Sequence, residues 1–66
     1  MEEMEKADRF QRLAYKRKDE IIEKLRILGN CSVKSSYEYS QEEVEKIFNE
    51  LLEQVYKTKI KFVSGK

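Results

Sequence analysis

The chain has no histidine, no proline and a single cysteine, Cys31, among its 66 residues. Without imidazoles, and with one thiol, a metal would have to be held by carboxylates, which argues against the N- and S-ligated sites of zinc or copper. Nucleophilic catalysis meets the same obstacle. Cys31 has no histidine to activate it, only Lys34 or a helix end, so a free thiol, buried or half-buried, is the expected state. The lone cysteine and the absence of a signal-type hydrophobic segment point to a reducing, cytoplasmic setting. No apolar run approaches the roughly 20 residues that span a bilayer, so no membrane partner is expected. With no proline, two glycines and 41% charged residues, the composition is that of long solvated helices. Disorder is disfavoured because Leu, Ile, Val and Phe still recur at helical spacing. The Asn30-Cys31-Ser32 triplet has the form of a glycosylation sequon, but without a secretory signal it is read as chance.

A single domain of this length hides only about 60% of the surface its unfolded chain exposes. Small chains offset that deficit with disulfides, metals or oligomerisation, and only the last is open here. Fourteen Lys and Arg against thirteen Asp and Glu leave a net charge of +1, with no global pull toward polyanions. The charges are nevertheless sorted. Residues 6–18 hold six basic side chains and one acid, Asp8; residues 41–54 hold five glutamates and one lysine, Lys46; Lys57, Lys59, Lys61 and Lys66 follow. Pairing between helices is the simplest use of that pattern.

Ala7, Phe10, Ala14, Ile21, Leu25 and Leu28 fall at steps of three, four and seven, which predicts a helix over residues 3–28 with one apolar face, extended by Met4. Glu2, Glu3 and Glu5 suit the positive end of its macrodipole, and Lys24 and Arg26 the negative end. Gly29 stands where a left-handed residue commonly ends a helix. A second helix is predicted over residues 41–62. Ser40 and Glu43 form a capping box, with Tyr39 and Val44 in the flanking staple positions. The stripe of Val44, Ile47, Phe48, Leu51, Leu52, Val55, Tyr56, Phe62 and Val63 is wider than one neighbouring helix can cover. It implies contact within the hairpin and beyond it, with Glu42–Lys46 and Glu53–Lys57 pairs on the outer face. Residues 64–66 are expected to fray.

The connection, residues 30–39, is long for a helical bundle and so needs a structural or functional reason. Val33, Ser35, Tyr37 and Tyr39 alternate with Lys34, Ser36 and Glu38, so an extended path would turn both tyrosines inward over the bundle end. The plainer reading is a hydrophobic lid with satisfied hydroxyls. The functional one is a protein-binding loop displaying Lys34, Ser36, Tyr37 and Glu38. The run from Leu28-Gly29-Asn30 through Tyr37-Glu38-Tyr39-Ser40 to Ile47-Phe48 resembles a pattern in small uncharacterised proteins of bacteria and their mobile elements. The resemblance spans roughly residues 10–62. Many of those proteins carry Asn where Val33 stands, and the resemblance implies no activity.

Three charged features remain. Arg17 lies beside the apolar seam, where a salt bridge to a glutamate of the second helix is expected, rather than a fork reading a carboxylate or phosphate. Arg9, Arg12 and Lys16 line the outer face of the first helix and supply the alternative function, a nucleic-acid-binding accessory protein. Glu20 and Glu23 continue that line, no aromatic interleaves with it, and a solvated face with ion pairs is the plainer reading. Glu42 and Glu43 start a helix, where capping explains them without acid–base work. The sequence therefore predicts an all-α fold, a two-helix antiparallel hairpin over residues 1–66 that dimerises into a four-helix bundle. Phe48, Leu51, Leu52 and Val55 are the expected dimer core. No catalytic, cofactor or metal residue is expected. The leading function is a non-enzymatic protein–protein interaction module, a small adaptor or regulator, for which the resemblance implies a mobile-element origin.

Overall fold

The computed structural model of the chain describes residues 2–64, with side chains from residue 5 onward. The expected roles of the Glu2 and Glu3 side chains at the helix start and of Met4 in the stripe lie outside the described side chains, and the fraying of Gly65 and Lys66 lies outside the described residues. Two long α-helices form where apolar residues recur at helical spacing without proline: α1, Glu2–Gly29, and α2, Gln41–Val63. Among the described residues there is no strand, and the element order is that of a helical hairpin. Phe10, near one end of α1, meets Phe62, near the far end of α2, edge to face with ring centroids 6.1 Å apart.

The helix stop differs from the expectation. Gly29 has φ −60° and ψ −24°, ordinary right-handed geometry, and α1 passes directly into a 3₁₀ turn at Asn30–Ser32. Tightening to i→i+3 bonds satisfies terminal carbonyls without a left-handed residue, so the freedom of this glycine goes unused. Val33 is extended, and its carbonyl accepts from the Ser36 and Tyr37 amides at 3.1 and 3.0 Å. The connection is thus a compact turn and not an alternating extended strand. One tyrosine, rather than two, faces inward. Tyr39 is half-buried and its hydroxyl donates to the Ser32 carbonyl at 2.8 Å, whereas Tyr37 is 51% exposed.

The start of α2 matches its sequence signal. The Glu43 amide donates to Ser40 Oγ at 3.1 Å and the Ser40 amide donates to Glu43 Oε1 at 2.9 Å, which closes the capping box. At the other end the Ser64 amide donates to the Ile60 carbonyl at 2.7 Å, so the ladder of α2 reaches one residue further than expected. The Glu53–Lys57 pair forms at 3.6 Å. Glu42–Lys46 is not among the ion pairs of the described residues; Lys46 instead lines the groove beside the connection.

The Cα trace measures 55 × 22 × 7 Å. Its radius of gyration is 16.7 Å, against about 11 Å for a compact domain of this length. A thickness of 7 Å is a single layer of helices, and a domain core ordinarily lies between two layers. Among the described residues, no two Cα atoms twelve or more positions apart come within 8 Å. Adding the helix radii puts facing axes roughly 12 Å apart or more, beyond the 8–10 Å of closely packed helices. The seam between α1 and α2 is correspondingly open, and no described side chain is buried.

Candidate functional site

The largest continuous feature is the apolar seam itself. Ala14, Leu28, Tyr39, Val44 and Leu51 are half-buried, and they mark the sides that the helices and the connection turn toward one another. The remaining large apolar side chains stand open, with Phe48 at 46%, Leu52 at 65%, Val55 at 59% and Phe62 at 65% exposure. Of the four residues expected in a dimer core, Leu51 belongs to the half-buried side of α2, while Phe48, Leu52 and Val55 form an exposed stripe beside it. A helix pair with this much unshielded apolar area is what an interaction surface requires.

The seam opens into a groove at each end. Near the helix ends remote from the connection, Phe10, Leu13, Ala14 and Ile21 of α1 face Thr58 and Phe62 of α2, rimmed by Lys6, Arg9, Arg17 and Lys18. Arg17 was expected to bridge to a glutamate of α2. It forms no ion pair among those of the described residues, because the α2 residues sharing its groove are Thr58 and Phe62, which carry no charge. Beside the connection, Leu28, Tyr39, Val44, Ile47 and Phe48 line the second groove, with Glu38, Glu43 and Lys46 around it. Tyr39 and Val44, the expected staple pair, share this groove.

The loop residues named as partner-binding candidates divide. Tyr37 is exposed, Ser36 is fixed through its amide to Val33, and Glu38 faces the groove. Lys34 folds back, with its Nζ 5.3 Å from the centroid of the Tyr39 ring, within cation–π range. Cys31 is exposed rather than half-buried: it sits on the 3₁₀ turn, at the edge of the groove beside the connection. The basic stripe is broken as well. Arg12 and Lys16 share a shallow surface with Asp19, Glu20, Glu23 and Lys24, while Arg9 lines the seam groove. Lys18 pairs with Asp19 at 2.7 Å and lies 5.3 Å over the Tyr15 ring.

Among the described residues, no cluster of three or more acidic, cysteine or histidine side chains is placed to hold a metal ion. Among the described residues, no helix is long and apolar enough to cross a membrane. The cationic groove around Phe10 and Phe62 was not anticipated as a unit. Its signal lay in the sequence, since Phe10 lies 19 positions before the end of α1 and Phe62 21 positions after the start of α2, so that helix rise brings them to nearly the same level. No protein-family model, curated protein or solved structure matches the chain.

Proposed function

We propose that this chain is a non-enzymatic protein–protein interaction module, an antiparallel helical hairpin that pairs with a second copy into a four-helix bundle. The observation that carries this reading is the exposure of every large apolar side chain outside the half-buried group. A 66-residue chain with no described side chain buried lacks the apolar burial that offsets chain entropy. A second two-helix layer over the first supplies it, and the exposed Phe48, Leu52 and Val55 stripe lies in the layer to be covered.

In this reading the connection, held by the bonds around Val33 and Tyr39, displays Tyr37 and Glu38 on a rigid frame to a further protein. Preorganisation of that kind lowers the entropic cost of recognition. The module then acts as a cytoplasmic adaptor or regulator. Sedimentation velocity at micromolar concentration tests the assembly: a dimer is expected, and a stable, fully folded monomer overturns the proposal.

A second reading, nucleic-acid binding along α1, is favoured by the excess of cations at the end remote from the connection. Asp19, Glu20 and Glu23 beside Arg12 and Lys16 weigh against it. Changing Arg9, Arg12 and Lys16 together to glutamine distinguishes the two in a gel shift at low and moderate salt. Salt-sensitive binding abolished by the triple change supports the second reading, and no shift even at low salt removes it.

A further inference from the structure

Charge is divided between the two ends of the molecule. Residues 5–18 and 54–64, brought to one end with the Phe10–Phe62 contact, hold nine Lys and Arg against two Asp and Glu. Residues 19–53, around the connection, hold four against nine. The seam follows the same division. Among the described residues, one groove is rimmed by Lys6, Arg9, Arg17 and Lys18 with no carboxylate, and the other carries Glu38 and Glu43 against one lysine. The ion pairs among the described residues, Lys18–Asp19, Glu23–Arg26 and Glu53–Lys57, each join near neighbours on one helix and leave the imbalance between ends untouched.

We propose that the second copy docks with opposite polarity, its connection end over the cationic end of the first, about a two-fold axis perpendicular to the helices. This inference rests on the self-association proposed above and adds its direction. A two-fold axis repeats every contact, so an opposite-polarity pair sets cationic end against acidic end twice. A same-polarity pair would set nine cations against nine and acid against acid, which disfavours association at both ends. The apolar seam is indifferent to direction, and charge is what selects it. The sign changes between Lys18 and Asp19 on α1 and between Glu53 and Gln54 on α2. Counted from the inner helix ends, Gly29 and Gln41, these two points differ by about two residues, or about 3 Å of rise, and both lie close to the midpoints of the helices. A two-fold axis level with them, lying between the two layers and perpendicular to the helices, overlays the two hairpins along their length.

The native thiol supplies the test, because Cys31 is the only cysteine and is exposed on the connection. With nitroxide on Cys31, double electron–electron resonance reads the distance between the two connections. Cys31 lies thirteen positions beyond Lys18, and at 1.5 Å rise per residue on each side of the axis the opposite-polarity dimer predicts a distance of roughly 40 Å. A distance below roughly 20 Å, the value for adjacent connections at helix-packing separations, overturns the polarity while leaving the dimer. A monomer in sedimentation, with no dipolar signal, overturns the self-association as well. Assemblies that grow with concentration indicate open stacking and overturn the closed pair. Sodium chloride gives an independent reading on the unlabelled protein. Raising it from low to high concentration should weaken the opposite-polarity dimer roughly tenfold or more by screening attraction. Strengthening with salt is the signature of like charges facing and contradicts the proposal.

Discussion

The connection and the helical seam are held in opposite ways. Within a few residues the connection collects the Tyr39 hydroxyl on Ser32, two amides on Val33 and both halves of the Ser40–Glu43 box. Along the seam, two helices of 28 and 23 residues share one aromatic contact and a row of half-buried side chains. Directional bonds between near neighbours can specify a turn without a core, whereas apolar side chains at 3.6-residue spacing need an opposing surface. The turn is therefore closed by its own bonds, whereas the seam stands open.

The largest expected effect lies on the seam. If the proposed dimer forms, Phe48→Ala or Leu51→Ala should each cost about 3 kcal/mol and dissociate it, read by urea denaturation and sedimentation of each variant. A change under about 0.5 kcal/mol, the scale of an ordinary surface substitution, would place both residues outside any core. On the connection the effects are smaller and local. Ser40→Ala removes the hydroxyl that accepts the Glu43 amide and should cost about 1 kcal/mol. Tyr39→Phe loses the bond to Ser32 at a similar cost, about 1 kcal/mol. Tyr39→Ala should additionally raise amide exchange in the first turn of α2, and protection unchanged by that substitution would mean the tyrosine does not fix the helix start.

Gly29→Ala has the opposite sign. The backbone is right-handed and a Cβ added there meets nothing within 4 Å. The substitution should stabilise the protein by about 0.5–1 kcal/mol through helix propensity and a less flexible unfolded chain. Destabilisation in thermal melts would show that the position needs left-handed geometry after all. Smallest of all, Lys34→Ala and Glu38→Ala should each shift stability by less than about 0.5 kcal/mol, since neither carries a buried or hydrogen-bonded group of the fold. A larger loss at Lys34 would mean that its approach to the Tyr39 ring contributes to the turn.

What the sequence disclosed follows the same division between local and distant chemistry. Helical spacing located both helices, and the Ser-x-x-Glu box located the start of α2 to the residue, because each is a pattern of near neighbours. Gly29 misled, since a glycine permits left-handed geometry without requiring it and the 3₁₀ turn met the same need. Tyr37 and Tyr39 look equivalent in an alternating run, and only the turn at Val33 separates them. Arg17 lacked its glutamate because the groove it shares with α2 presents Thr58 and Phe62, a matter of level between helices that periodicity within one helix does not report. The cationic groove escaped notice for the same reason, its members being distributed over two helices far apart in the chain.

The central claim, that the seam is completed by a second copy, is tested most directly by urea denaturation monitored by circular dichroism across a hundredfold range of protein concentration. If folding and association are one process, the midpoint rises with concentration and helicity at fixed urea falls on dilution together with the dimer. A cooperative transition whose midpoint is the same at every concentration would show that one hairpin folds alone, and would contradict the account.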